Sequence, residues 1–269
     1  MAPKQLTPSS KAEPSLTVFD PAAVSMAAIG AHRGATATAA ENSLAAFEAA
    51  IRLGVEFIEF DVRRTSDQTL IVLHDATIGG EPVAALTSEA IFQKSGVRPP
   101  RLAEVLELAG GRIGLDVELK EGGYVAEVVD AVRRGSEPER IVYTSFLDTV
   151  IRQVGSHEPA AKTGLILGRS SPAPYLRTRL SEIFPAQRLR RCGATFAVLH
   201  YQLAKLGALR RAHAAGVPTL VWTVNGASPL RRFLSNPLVY GVITDQPQQA
   251  LVIRDSLGQS AVPATLPER

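Results

Sequence analysis

Nine short runs rich in apolar and β-branched residues punctuate this chain, at 26–31, 56–62, 69–74, 113–118, 140–144, 162–167, 194–199, 217–223 and 239–244. Longer stretches with helical periodicity follow most of them, among them Ser43 to Leu53, Leu102 to Ala109, Tyr124 to Arg134 and Gln202 to Ala215, and this alternation is the pattern of βαβ units. The second and third runs are separated only by Arg63 to Gln68, too few residues for a parallel crossover, so they read as an antiparallel hairpin around Ser66-Asp67-Gln68. Setting 69–74 aside leaves eight strands. Eight parallel strands with helical crossovers predict an α/β chain folded as a (β/α)8 TIM barrel with an extra hairpin strand after the second strand.

The barrel is expected to occupy residues 25–255 as one domain. Residues 1–24, with Pro3, Pro8, Pro14 and Pro21 among Ser, Thr and Lys, and residues 256–269 are expected to be flexible ends. A composition of 45% hydrophobic and 20% charged residues excludes a disordered chain, a collagen-like repeat and a coiled coil. The net charge of +3 argues against nucleic acid as a partner. Cys192 is the only cysteine, so no intrachain disulfide or thiolate metal cluster can form. With no apolar run long enough to span a bilayer and no secretory signal pattern, the sequence reads as a cytoplasmic protein without a transmembrane segment. One region is locally basic: residues 169–191 carry Arg169, Arg177, Arg179, Arg188, Arg190 and Arg191 against Glu182 alone. A solvated helix face is the expectation there, and weak contact with an anionic surface is the alternative.

In a barrel of this kind, chemistry collects where strands end. The first strand ends in His32-Arg33-Gly34, the second in Glu59-Phe60-Asp61, the fourth in Glu118-Leu119-Lys120, the fifth in Ser145, and the last two in Trp222 and Thr244-Asp245. The period of two along a strand turns Glu59 and Asp61 to one face, and Glu118 and Lys120 likewise. A hairpin loop of two or four residues would set His74 opposite Asp61 and so beside the carboxylates, whereas a three-residue loop would pair it with Phe60. The first register is the expected one.

Read in order, A-H-R-G, E-N-S-x-x-A-F, I-E-F-D-V, L-H-D, V-E-L-K, T-S-F, W-T-V-N and G-V-I-T-D-x-P resemble the glycerophosphodiester phosphodiesterase family, from about Ala31 to Pro247. The resemblance implies a distorted barrel that hydrolyses glycerophosphodiesters to glycerol 3-phosphate and an alcohol with one divalent cation, Ca²⁺ or Mg²⁺. By position it implies His32 and His74 as catalytic histidines, Glu59, Asp61 and Glu118 as metal ligands, and Arg33 and Lys120 as phosphate contacts. Glu41 joins the substrate-binding set, bracing His32 or Arg33, and Trp222 joins it as a wall of the pocket. Asn42 reads as the N-cap of the helix that follows. Departures from the family pattern are Ala40 for proline, Ser43 for threonine, Gln68 for the glycine of an Asp-Gly turn, and A-T-I-G-G after Asp75, where the family often has an arginine and paired threonines.

The residue chemistry agrees with what the resemblance implies. Three carboxylates with no thiolate form an all-oxygen shell suited to a hard cation. A phosphodiester is anionic, so attack on it needs that charge neutralised, and two histidines can divide the proton transfers. Two other readings are a lysophospholipase D or sphingomyelinase D-like lipid hydrolase and a non-catalytic phosphate-ligand binding protein. Between Asp75 and Leu115 there is room only for a small excursion, so no inserted cap domain is expected, and no apolar helix is expected on the surface. Oligomeric state is not encoded legibly.

Overall fold

The protein is represented by a computed structural model that describes residues 18–20, 26–168 and 175–260. Its strands are β1 (Ala28–His32), β2 (Phe57–Arg64), β3 (Leu70–Val72), the short β4 (Thr77–Ile78) and β5 (Glu81–Pro82), β6 (Gly114–Leu119), β7 (Ile141–Ser145), β8 (Thr163–Leu167), β9 (Phe196–His200), β10 (Thr219–Trp222) and β11 (Gly241–Thr244). The helices are α1 (Leu44–Leu53), α2 (Ser88–Ser95), α3 (Leu102–Ala109), α4 (Val125–Gly135), α5 (Asp148–His157), α6 (Tyr175–Ile183), α7 (Ala186–Cys192), α8 (Tyr201–Lys205), α9 (Ala208–Ala214), α10 (Ala227–Leu234) and α11 (Pro247–Ser260).

Each of the nine strands expected from the sequence lies within two residues of its expected bounds. Eight of them pair in parallel and close a ring, β1-β2-β6-β7-β8-β9-β10-β11 and back to β1. The ninth, β3, pairs antiparallel with β2 outside the ring. The distortion has a local cause: β2 is eight residues long, and its last residues, Val62 to Arg64, run past the ring to pair with β3.

Two cores result. The larger lies between strands and helices, where Phe47 of α1, Val105 of α3, Val128 of α4 and Phe233 of α10 meet the outward-facing strand residues. The smaller fills the base of the barrel with Phe57, Phe196, Leu220 and Tyr240. Here Gly30 gives way to Phe57, whose ring atoms would lie only 2.2 Å from a Cβ at that position. The inward residues change character along the strands, so that Phe57 at the base is followed by Glu59 and Asp61 toward the mouth, with Asp116 and Glu118 as their neighbours on β6.

Two expectations about the ends are corrected. Phe19, in the stretch read as a flexible leader, is fully buried and packs on Phe57 at 5.2 Å and Phe196 at 6.1 Å, and the Tyr240 hydroxyl donates to the Val18 carbonyl. Burial of a large aromatic ring offsets the ordering of the residues that deliver it. At the other end α11 continues through Ser256 to Ser260. The remaining residues of both expected ends lie outside the described residues. Among the described residues, the segment after β3 forms only the β4-β5 ladder, one turn of 3₁₀ helix and α2, with no cap domain, and no helix is long and apolar enough to cross a membrane.

Candidate active site

The chain leaves β1 through His32, Arg33 and Gly34. A Cβ on Gly34, at φ +89°, would lie 2.7 Å from Ala46, so only glycine lets α1 pack against this turn. Arg33 is also left-handed, at φ +56°, a region sparsely populated by other residues and frequent at functional sites. That conformation aims its N–H at Glu59, whose carbonyl accepts at 2.9 Å and whose Oε2 accepts at 3.1 Å. The guanidinium brings Nε to 3.3 Å from Asp61 Oδ2 and donates from Nη1 to both Glu41 oxygens, at 3.0 and 2.9 Å. Glu41 therefore stands behind Arg33, outside the residues that line the cavity, and braces the arginine.

Asn42 corrects an expectation. Ser43, not Asn42, caps α1, its Oγ accepting from the Ala46 N–H at 3.2 Å. Asn42 is buried at φ +55°, and its Nδ2 donates to Asp61 Oδ2 at 2.7 Å. The residue thus fixes the carboxylate that the strand presents.

Glu59, Asp61 and Glu118 are all buried and bring one oxygen each within 4.8 Å of the others. Lys120 Nζ lies 2.7 Å from both Asp61 Oδ1 and Glu118 Oε1. Burial raises the Glu59 carboxyl well above its ordinary range, and the neighbouring Asp61 and Glu118 charges raise it further. Burial also acts to raise Asp61, but Lys120 and Arg33 overcome it and hold that carboxyl at about 2. Three buried carboxylates facing two fixed cations leave an oxygen-only donor set that fits one hard divalent ion. Below them Asp116 is buried, one oxygen accepting from Thr144 Oγ1 at 2.6 Å, and burial lifts its carboxyl to about 8.

His32 is held by Asp245, whose Oδ1 lies 2.6 Å from Nδ1, and its Nε2 lies 3.9 Å from Glu59 Oε2. The second Asp245 oxygen accepts from Asn225 Nδ2 at 2.6 Å. Burial would raise the Asp245 carboxyl, but the His32 hydrogen bond and charge bring it below the ordinary aspartate range.

His74 reaches the same cavity by a different route from the one expected. The observed register pairs Val62 with Val72, Arg63 with Ile71 and Arg64 with Leu70. The Thr65 N–H donates to the Thr69 carbonyl, which leaves the three-residue loop Ser66-Asp67-Gln68, so continued pairing would set His74 opposite Phe60. Gln68 has φ +60°, the conformation for which this turn favours glycine. The strand stops at Val72, however, and Arg63 donates from Nε at 3.0 Å and Nη2 at 2.7 Å to the His74 carbonyl, which fixes the chain at the cavity. The ring of His74 is half-buried, with Nδ1 3.0 Å from Asp75 Oδ1.

His32, Arg33, Glu59, His74, Glu118 and Lys120 line a cavity of about 590 Å³ at the C-terminal mouth of the barrel. Phe146, Leu147, Ile166 and Trp222 form its apolar wall, with the Trp222 indole N–H donating to the Val198 carbonyl at 3.2 Å and its ring edge-on to Phe146. The cavity thus sets an apolar wall against an acidic cluster, three cationic side chains (Arg33, Arg63 and Lys120) and two histidines.

Residues 32–249 match the model of the glycerophosphoryl diester phosphodiesterase family. The chain belongs to this family. A glycerophosphodiester phosphodiesterase from Caldanaerobacter subterraneus subsp. tengcongensis is 29% identical over 242 residues, which cover 81% of this chain and 93% of that protein. One from Bacillus altitudinis is 27% identical over 262 residues, covering 86% of this chain and all of the other. Among solved structures, a glycerophosphodiester phosphodiesterase from Agrobacterium tumefaciens superposes with a TM-score of 0.68 at 25% identity, over 84% of this chain and 100% of that one. A phosphodiesterase from Oleispira antarctica in complex with the product sn-glycerol-3-phosphate shares the fold, with a TM-score of 0.70 at 21% identity over 86% of this chain and 97% of that one.

Within this phosphodiesterase barrel the structure gives a place at the site to residues that the sequence did not assign to it. Arg63 and Asp116 line the cavity and obey the same period of two that selects Asp61 and Glu118, so that period is the signal that finds them. Asn225 and Asp245 lie on different strand ends, and no local pattern links them to His32.

Proposed function

We propose that this protein hydrolyses glycerophosphodiesters to glycerol 3-phosphate and a free alcohol, with one divalent cation, Ca²⁺ or Mg²⁺, held by Glu59, Asp61 and Glu118. The observation that carries this reading is one cavity lined by His32, His74, Arg33 and Lys120 beside three mutually close, buried carboxylates. The cation, when bound, supplies positive charge opposite the anionic phosphate. Arg33 and Lys120 supply further positive charge, preorganised by Glu41, Asp61 and Glu118 so that little reorganisation accompanies charge development.

His32 and His74 divide the proton transfers. One removes a proton from the nucleophile, either water or the substrate's own 2-hydroxyl on the way to a cyclic phosphate, and the other protonates the departing alkoxide. Asp245 holds His32 through Nδ1, which leaves Nε2 directed toward the carboxylate cluster. Trp222 and Phe146 exclude water along one wall.

The test is release of glycerol 3-phosphate from glycerophosphocholine, with and without a chelator. Product in the metal-replete sample and none after chelation is the expected result. A metal-replete protein that releases no glycerol 3-phosphate from any glycerol diester removes the reading.

A further inference from the structure

Between Glu158 and Asp245 the sequence carries twelve lysines and arginines and a single acidic residue, Glu182, whereas the rest of the chain has seventeen basic against twenty-five acidic residues. The small net charge of the whole therefore conceals two sides of opposite sign. Glu182 does not relieve the positive side, because it is buried and already paired with Arg179.

Contrary to the sequence expectation, this side also exposes apolar surface. Leu180, Phe184 and Leu206 are 48%, 55% and 65% exposed. They are contiguous with the cations. Leu180 and Phe184 line one shallow cleft with Arg188 and Arg191, the Arg211 guanidinium covers the Phe184 ring at 4.3 Å, and Arg211 Nη1 donates to the Leu206 carbonyl at 3.3 Å. Among the described residues, Arg190, Arg191, Lys205, Arg210 and Arg211 have no carboxylate within 4.0 Å.

The face adjoins the cavity mouth. Arg188 pairs with Asp148, next to the cavity residue Leu147, while Lys205 sits over Tyr201, whose ring lies tilted against His200, itself edge-on to Trp222. Of the six arginines noted in 169–191, Arg169 and Arg177 lie outside the residues whose side chains are described.

We propose that the face built by α6 to α9 docks the protein on an anionic phospholipid surface. Leu180, Phe184 and Leu206 would enter the headgroup layer, and Arg191, Lys205, Arg210 and Arg211 would meet lipid phosphates. Interleaved apolar and cationic side chains suit the boundary between headgroups and acyl chains, whereas a nucleic acid backbone leaves the exposed leucines and phenylalanine without a partner. A second copy of the chain is disfavoured, since a two-fold contact would oppose the same positive surface to itself. The proposal goes beyond the hydrolytic reading and is tested without substrate.

The experiment is flotation of the full-length protein with vesicles of phosphatidylcholine alone or mixed with phosphatidylglycerol. Expected is retention on the mixed vesicles at least about tenfold above phosphatidylcholine, declining as salt rises. Arg191→Glu with Lys205→Glu lowers that retention by about tenfold or more, and so does Leu180→Ser with Leu206→Ser. Both pairs leave the circular dichroism and the hydrolysis of glycerophosphocholine in solution unchanged. Equal retention on the two vesicle types overturns the proposal, as does full retention by the charge-reversed pair. Binding to an RNA duplex as tight as to vesicles, unaffected by Leu180→Ser with Leu206→Ser, replaces it with a general polyanion surface.

Discussion

Asp61 shows how much one side chain at this site depends on its neighbours. Its oxygens meet Asn42 and Lys120 at 2.7 Å and Arg33 at 3.3 Å, and these contacts keep it ionised despite burial that acts the other way. Under the proposed function, an ionised Asp61 beside Glu59 and Glu118 gives the cluster its affinity for a cation. Isosteric Asp61→Asn or Glu118→Gln is therefore expected to weaken Ca²⁺ or Mg²⁺ binding by roughly 10²-fold while leaving a folded barrel, as read by calorimetric titration and circular dichroism. Unchanged affinity in both variants would mean that the ion binds elsewhere. For the histidines, His32→Ala and His74→Ala are each expected to lower kcat by roughly 10²- to 10⁴-fold, with a bell-shaped pH profile in the parent enzyme. Near-native turnover by His74→Ala would remove it from the proton chemistry even though it lines the cavity.

At the scale of elements, the hairpin and the N-terminal plug carry the main lessons. The β2-β3 hairpin does not deliver His74 by its register, because Ser66 to Gln68 form a three-residue loop. A strand that ends at Val72 and an arginine two residues beyond Asp61 do so instead. The plug is a short segment, Val18 to Asp20, that closes the base of the ring with Phe19. Truncating Phe19 to alanine opens a cavity between Phe57 and Phe196, for which the expected destabilisation is roughly 3–5 kcal/mol, since large aromatic-to-alanine changes in packed cores cost about that much. Urea unfolding measures it, and a loss below about 1 kcal/mol would mean that the base of the barrel closes without this ring. Glycerophosphodiester turnover at 25 °C should change little, because the plug and the catalytic residues occupy opposite ends of the strands.

For the whole molecule, the segment after β3 adds no domain over the mouth among the described residues. The excursion after His74 amounts to β4, β5 and α2, and under the proposed function Arg33, Lys120 and the carboxylate cluster address the phosphate. An alcohol that touches little protein offers few contacts by which substrates can be told apart. The choline, ethanolamine and glycerol diesters of glycerol 3-phosphate are accordingly expected to have kcat/KM values within about a hundredfold of one another, or roughly 2.7 kcal/mol. A parallel series that includes a lysophospholipid checks this. A lysophospholipid that outperforms every water-soluble diester would shift the activity to the lipid-hydrolase reading and would draw the cationic, apolar face into catalysis itself.

The sequence by itself determined the strand order, the barrel and most of the cavity, because these rest on local periodicity. An alternation of two turns Glu59, Asp61, Glu118 and Lys120 inward whatever surrounds them, and a six-residue gap between two strands forces a hairpin. What it could not determine were distances between segments far apart in the chain. Asn42 reads locally as a helix cap, and only the approach of α1 to β2 turns it onto Asp61. Asp245 becomes the partner of His32 across 213 residues only because β11 closes the ring against β1. A proline-rich N-terminal stretch likewise has no period of its own, yet Phe19 packs on Phe57 and Phe196 at the base of the barrel, where Gly114 leaves room for Val18. Charge obeyed the same division: the sequence counted its arginines, but the ring of helices placed them with Leu180, Phe184 and Leu206 on one face beside the mouth.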